Sequence, residues 1–171
     1  MMKKEPPITI RRATADDSAT LVEFNRALAR ETEGTVLLPQ VIAAGIDNLL
    51  ANDALGFYIV AEQCDRVVGS LLVTTEWSDW RNGMFWWIQS VYVLAECRRN
   101  GVYRAMYQHV KTMAKTDPQV CGFRLYVERE NSVAQETYRA LGMEETPYRV
   151  FEELKTEVRY LEGVPPEALA T

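Results

Sequence analysis

The chain is poor in the groups that most metal-binding and nucleophilic chemistry needs. Its 171 residues include a single histidine, His109. One imidazole excludes a multi-histidine metal site and leaves few options for a histidine-based triad. Cysteine is also scarce: Cys64, Cys97 and Cys121 are scattered, odd in number and without a Cys-x-x-Cys pair. That pattern argues against a disulfide framework and for a reducing, cytoplasmic setting. No uninterrupted apolar run approaches the ~20 residues a spanning helix requires. The opening Met-Met-Lys-Lys-Glu-Pro-Pro has no apolar stretch behind its lysines, so neither a signal peptide nor a membrane partner is expected. Basic residues are outnumbered, 19 against 24 acidic, for a net charge of −5. Without a long basic stripe a nucleic-acid partner is not expected, and the balance leans towards cationic substrates.

What is present is enough for one folded domain. The length suits a single unit spanning 1–171, and 47% hydrophobic residues can bury a core. No repeat, low-complexity segment or linker divides it. The expected core runs from about 8 to 153, with a loosely held tail over 161–171 that includes Pro165 and Pro166.

The pattern along the chain predicts the elements. Ile8–Arg12 alternates as a strand, and Thr14-Ala15-Asp16-Asp17 has the shape of a capping box. Leu21, Phe24 and Leu28 mark a helix that Gly34 ends. Pro39, Ile42, Ile46, Leu49 and Leu50 mark a second helix. Phe57–Ala61, Val67–Trp77 and Met84–Val93 form an antiparallel meander joined by polar turns. A helix with apolar residues at 102, 106, 110 and 113 follows and stops near Pro118. Val120–Val127 is a strand, Asn131–Leu141 a helix stopped at Gly142, and Tyr148–Glu152 a last strand. The order is β-α-α-β-β-β-α-β-α-β: an α/β (α+β) mixed sheet, mostly antiparallel, with helices on both faces.

The stretch Gln89–Tyr103 joins the end of a buried strand to a basic turn around Gly101 and the start of an amphipathic helix. Unpaired N–H groups at a helix start, the positive end of its dipole, and Arg98, Arg99 and Arg104 beside them suit an anion. Downstream, the strand Phe123–Val127 leads into Asn131-x-x-Ala134-x-x-x-Tyr138-x-x-x-Gly142-Met143.

Arg98-x-x-Gly101-x-Tyr103 resembles the Arg/Gln-x-x-Gly-x-Gly/Ala signature of the GNAT superfamily of acyl-CoA-dependent N-acyltransferases, with Tyr103 where a small residue is usual. The Asn131–Met143 segment resembles the family's other acyl-CoA segment, in the right order. The resemblance extends over roughly Ile8–Glu153 and implies a GNAT-like fold with acetyl-CoA as co-substrate. It implies that Arg98, Arg99, Asn100, Gly101, Val102, Tyr103 and Arg104 hold the coenzyme pyrophosphate through backbone N–H groups. It implies that Val91, Tyr92 and Val93 pair with the pantetheine arm as a strand would, with a strand N–H polarising the thioester carbonyl. It implies that Asn131 contacts the arm, unless it simply caps its helix. The resemblance also implies that Tyr138 lies near the coenzyme sulfur, where a phenol titrating near ~10 can protonate the departing thiolate.

An attacking amine must lose a proton, and the source of the base stays open. Gln89 aligns with the position where polyamine acetyltransferases of the superfamily carry a glutamate. A glutamine is no base, though it can position water or the acceptor. Glu76, Asp79, Glu128 and Glu152 are the alternatives. Trp77, Asp79 and Trp80 together suggest an aromatic recess with a carboxylate for a cationic amine. Two readings follow. One is an N-acetyltransferase in which an amine of a small molecule or peptide attacks the thioester directly in a ternary complex. The other is a catalytically silent acyl-CoA-binding sensor or interaction module. The resemblance also implies a homodimer through sheet edges or late strands.

Overall fold

The computed structural model describes residues 7–155 and 157–163. The readings that fall on Met1–Pro6 and on 164–171 lie outside them. Five strands form one sheet in the order β1-β2-β3-β4-β5: β1 (Thr9–Arg12), β2 (Phe57–Gln63), β3 (Arg66–Ser78), β4 (Gly83–Val93) and β5 (Val120–Leu125). Neighbours are antiparallel from β1 to β4. The crossover from β4 to β5 makes that last pair parallel. The helices are α1 (Ser18–Glu33), α2 (Pro39–Leu50), α3 (Val102–Lys115) and α4 (Ser132–Ala140).

Period-two alternation along β2 sends its side chains to two cores. Tyr58 and Val60 meet Leu21 of α1 and Ile46 of α2 on one face. Ile59 and Ala61 join Leu71, Val73, Trp86 and Ile88 on the other, under Val102, Met106, Tyr107 and Val110 of α3. Each such fully buried aliphatic side chain contributes about 1.5–3 kcal/mol. The start of α3 is seated on the sheet because β3 carries Gly69. A Cβ there would come within 3.1 Å of the Val102 side chain and of the Tyr92 carbonyl.

The capping-box residues form as the pattern predicts. Asp17 accepts the Thr14 backbone N–H at 2.8 Å and closes a 3-10 turn into α1. The buried Asp17 carboxylate is also gripped by both Nη atoms of Arg11, at 2.7 and 2.8 Å. That guanidinium holds its pKa below the usual carboxylate value.

Two expectations need correction. Tyr148–Glu152 forms no strand: Tyr148, Val150 and Phe151 stand largely in solvent. The start of the expected loose tail is bound. Leu38 donates its N–H to the Tyr160 carbonyl at 2.8 Å and Glu162 to that of Val36 at 2.7 Å, which fastens 160–162 to the α1–α2 loop. No helix among the described residues is long and apolar enough to cross a membrane.

Candidate active site

β4 and β5 run side by side only as far as the Ile88–Leu125 pair. β5 ends there, two residues before the expected Val127, while β4 continues to Val93. A bulge causes the divergence. Ser70 pairs with Tyr92 and Leu72 with Gln89, so Leu71 faces both Ser90 and Val91. Ser90 takes a left-handed φ of 45°, and such an inserted residue bends its strand. The result is a fork. One side is the edge of β4 from Gln89 to Val93, which has no strand partner beyond Ile88 among the described residues and contains Val91, Tyr92 and Val93.

The basic turn follows β4 directly. Gly101 sits just before α3 with φ 77°, and among the described residues nothing beyond its chain neighbours lies within 4 Å of where a Cβ would stand. The first helical bond is Ala105 N–H to the Gly101 carbonyl, 2.9 Å. The N–H groups of Val102, Tyr103 and Arg104 precede it, and no side chain among the described residues caps them. Such an end suits an anion by geometry and dipole. Arg98, Arg99, Asn100 and Arg104 are exposed around it. Arg98 is already engaged: its Nε donates to the Val93 carbonyl at 2.9 Å and an Nη donates to Glu31 of α1 at 2.6 Å. Tyr92 donates its hydroxyl to the same Glu31 at 3.1 Å. Arg98 thus ties the turn to β4 and α1, which the sequence does not reveal because Glu31 lies 67 residues away.

α4 follows β5 and packs against the start of α3. Tyr138 meets Tyr103 edge-on, ring centroids 5.7 Å apart at 69°. Tyr103 in turn lies parallel to Tyr107 at 6.0 Å, and Tyr107 abuts Phe123 of β5 at 5.8 Å. Asn131 caps α4, accepting the Ala134 N–H at 3.1 Å. A recess of about 310 Å³ lined by Tyr107, Phe123, Gly142, Met143 and Glu144 adjoins this cluster.

Burial pushes the Tyr138 phenol above its ordinary value of 10.0, and burial does the same for Tyr58, Tyr103 and Tyr107. Below pH 10 these phenols are protonated in both folded and unfolded chains. Above it the unfolded chain releases protons that the folded one keeps. Their contribution to stability is therefore intact below pH ~10 and lost as the pH rises from there through the folded values. Melting temperature measured from pH 8 to 12 should fall only beyond pH ~10, with tyrosinate absorbance appearing together with unfolding. Tyrosinate that forms in full before the chain unfolds would contradict the burial.

On the opposite face of the sheet, towards α1 and α2, Gln89 donates to the Thr74 hydroxyl. Further along that face Glu76 accepts from Trp87 Nε1 and from Arg124, the latter at 2.7 Å. The Arg124 guanidinium lies 3.8 Å over the Phe85 ring. Both oxygens of Glu76 are thus already used. Trp77, Asp79 and Trp80 sit elsewhere, at the tip of the β3–β4 hairpin where Ser78 pairs with Gly83. That tip is six residues along β4 from Gln89, about 20 Å at the rise of a strand. Asp79 there accepts the Trp80 N–H at 2.9 Å. The structure does not bring these three residues to the fork.

The profile of the acetyltransferase (GNAT) family matches residues 21–143, most of the chain and all of the fork. The chain belongs to the GNAT acetyltransferase family. Among solved structures, a possible acetyltransferase from Clostridium difficile 630 is 45% identical, with a TM-score of 0.79 over 85% of this chain and 95% of that one. A predicted acetyltransferase with acetyl-CoA from Clostridium acetobutylicum is 17% identical, with a TM-score of 0.70 over 85% and 96%. AAC(6')-Iy in complex with the bisubstrate analogue CoA-S-monomethyl-acetylneamine is also 17% identical, with a TM-score of 0.69 over 87% and 99%. These last two share the GNAT fold. A comparison with curated protein sequences finds no match.

Proposed function

We propose that this GNAT protein moves the acetyl group of acetyl-CoA to an amine of a small molecule or peptide, by direct attack in a ternary complex. One observation carries the proposal. β4 continues past the end of its pairing with β5 and leads directly into the turn whose N–H groups at 102–104 stand open, and Tyr138 of α4 packs edge-on against Tyr103 of that same turn. The residues fit an acyl-CoA: an anion site without a Cβ at Gly101, a strand edge for the amide-bearing arm and a phenol beyond it. When bound, acetyl-CoA supplies an acyl group activated as a thioester. The backbone at 102–104 binds the charged end of the coenzyme, and the edge Val91–Val93 orients the arm. A strand N–H polarises the acyl carbonyl. Tyr138, protonated throughout the neutral range, holds a proton for the departing thiolate. Asn131 fixes the start of the helix that carries Tyr138. On the other face Gln89, oriented by Thr74, places the acceptor or a water.

A silent acyl-CoA-binding module is the alternative, and Gln89 is the observation that favours it, since an amide accepts no proton. Incubation with acetyl-CoA and a pooled amine library separates the two. Release of the free thiol together with an acetylated amine supports transfer. Saturable acetyl-CoA binding without any turnover supports the silent module.

The acceptor partner is proposed to meet a dimer. β5 is an edge of the sheet, and Tyr126 and Val127 beyond it are 55% and 37% exposed. Exposed edges invite pairing. Sedimentation should return about twice the chain mass of 19.5 kDa. A single-chain mass at all working concentrations would contradict this.

A further inference from the structure

Arg98 lies across the edge of β4 that a ligand entering the fork would use. Leu94 donates its N–H to the Val68 carbonyl at 2.9 Å, and Val93 faces Gly69 beside that pair. Bonded and unbonded pairs alternate between antiparallel strands. Val93 therefore turns its N–H and its carbonyl away from β3, towards the edge that has no strand partner beyond Ile88 among the described residues. Arg98 Nε occupies that carbonyl at 2.9 Å.

The same guanidinium is held from the side of α1. One Nη donates to Glu31 at 2.6 Å, and the group stands 5.5 Å from the centroid of the Tyr92 ring. The Tyr92 hydroxyl donates to the other Glu31 oxygen at 3.1 Å. Glu31 thus uses both oxygens to fix one cation beside the edge. The hold is weak, because the two side chains of the ion pair are 43% and 44% exposed, and pairs so exposed contribute little. A pyrophosphate at the N–H groups of 102–104 would be the stronger partner, since it carries more charge and accepts paired hydrogen bonds from a guanidinium.

We propose that Glu31 is a further residue of the acyl-CoA site: it holds Arg98 across the edge of β4 in the free protein, and the coenzyme takes Arg98 from it. This rests on the acyl-CoA reading above. The exchange releases the Val93 carbonyl to an amide N–H of the pantetheine arm and brings the guanidinium to the phosphates. Glu31 touches neither. It sets coenzyme affinity through Arg98 and is a positioning residue.

Glu31→Gln and Glu31→Asp test it. The first removes the charge, and the second keeps the charge but shortens the reach. Both should lower the dissociation constant for coenzyme A about threefold to fivefold, the worth of an exposed ion pair. A contact that merely braces the turn predicts the reverse, a weaker complex. Affinity for 3′-phosphoadenosine 5′-diphosphate, which has the phosphates but no arm, should rise as well, because Arg98 passes to the phosphates. In an Arg98→Gln background either change at Glu31 should move coenzyme A affinity by less than about twofold. Unchanged or weaker binding by Glu31→Gln would overturn the proposal. So would tightening by Glu31→Gln alone, or tightening that persists without Arg98, since either assigns the effect to the field of the carboxylate. No gain for the armless nucleotide would also overturn it, by showing that Arg98 does not reach the phosphates. A wild-type protein that binds no coenzyme A would overturn the acyl-CoA reading itself, and this proposal with it.

Discussion

Tyr138→Phe is expected to slow acetyl transfer about 10²–10⁴-fold, the usual worth of general acid catalysis. The change deletes one oxygen and keeps the ring, so the edge-on contact with Tyr103 survives and the cost in packing is small. Coenzyme A affinity should hardly move, because the anion contacts come from the backbone at 102–104. The loss should therefore fall on kcat at constant substrate affinity, as for a group that acts in the transition state. Without the phenol, thiolate leaves unprotonated, and the rate of the variant should depend more steeply on the pKa of the leaving thiol than that of the wild type. Single-turnover kinetics with a series of acyl thioesters reads both effects. Turnover within about threefold of wild type, with chemistry limiting in both, would leave Tyr138 as an aromatic packed between helices.

Gly101→Asp is expected to abolish coenzyme binding. A ligand at 100 times its dissociation constant stabilises by about 2.7 kcal/mol, which is on the order of 5–10 °C for a chain of this size. The aspartate would bring a carboxylate to the anion site. Two unit charges about 4 Å apart near a protein surface repel by roughly 4 kcal/mol, close to three orders of magnitude in affinity. The left-handed φ of 77° adds a backbone penalty for any side chain, so Gly101→Asn is the control. It carries similar strain without the charge. The asparagine variant should keep a measurable thermal shift with coenzyme A, and the aspartate variant none. A full shift in a folded Gly101→Asp protein would remove the anion site from the turn.

The sequence made most of the frame legible because local chemistry and tertiary structure agree there. Leu21, Phe24 and Ala29 bury one stripe of α1, and Val102, Met106 and Val110 one stripe of α3, as their spacing requires. Gly101 is left-handed where the turn needs it. Legibility stops where a long-range partner decides. Tyr148–Glu152 has strand composition, but composition stabilises a strand only against a neighbour to pair with, and none is beside it among the described residues. The bulge that opens the fork falls on Ser90, with no glycine to announce it. Arg98 looks like free positive charge in a basic turn, yet Glu31 and the Val93 carbonyl hold it. Trp77, Asp79 and Trp80 are near Gln89 in sequence, but an extended strand carries near neighbours in sequence far apart in space. The opposite holds for Tyr103 and Tyr138, 35 positions apart, which the crossovers after β4 and β5 bring into contact.

The crystal structure of a complex with acetyl-CoA tests the central claim most directly. The account predicts the pyrophosphate against the N–H groups of Val102, Tyr103 and Arg104. It predicts the arm along Val91–Val93 between β4 and β5, and the thioester sulfur next to the Tyr138 hydroxyl. Coenzyme bound away from the fork, or an unchanged fork without coenzyme density at saturating acetyl-CoA, would contradict it.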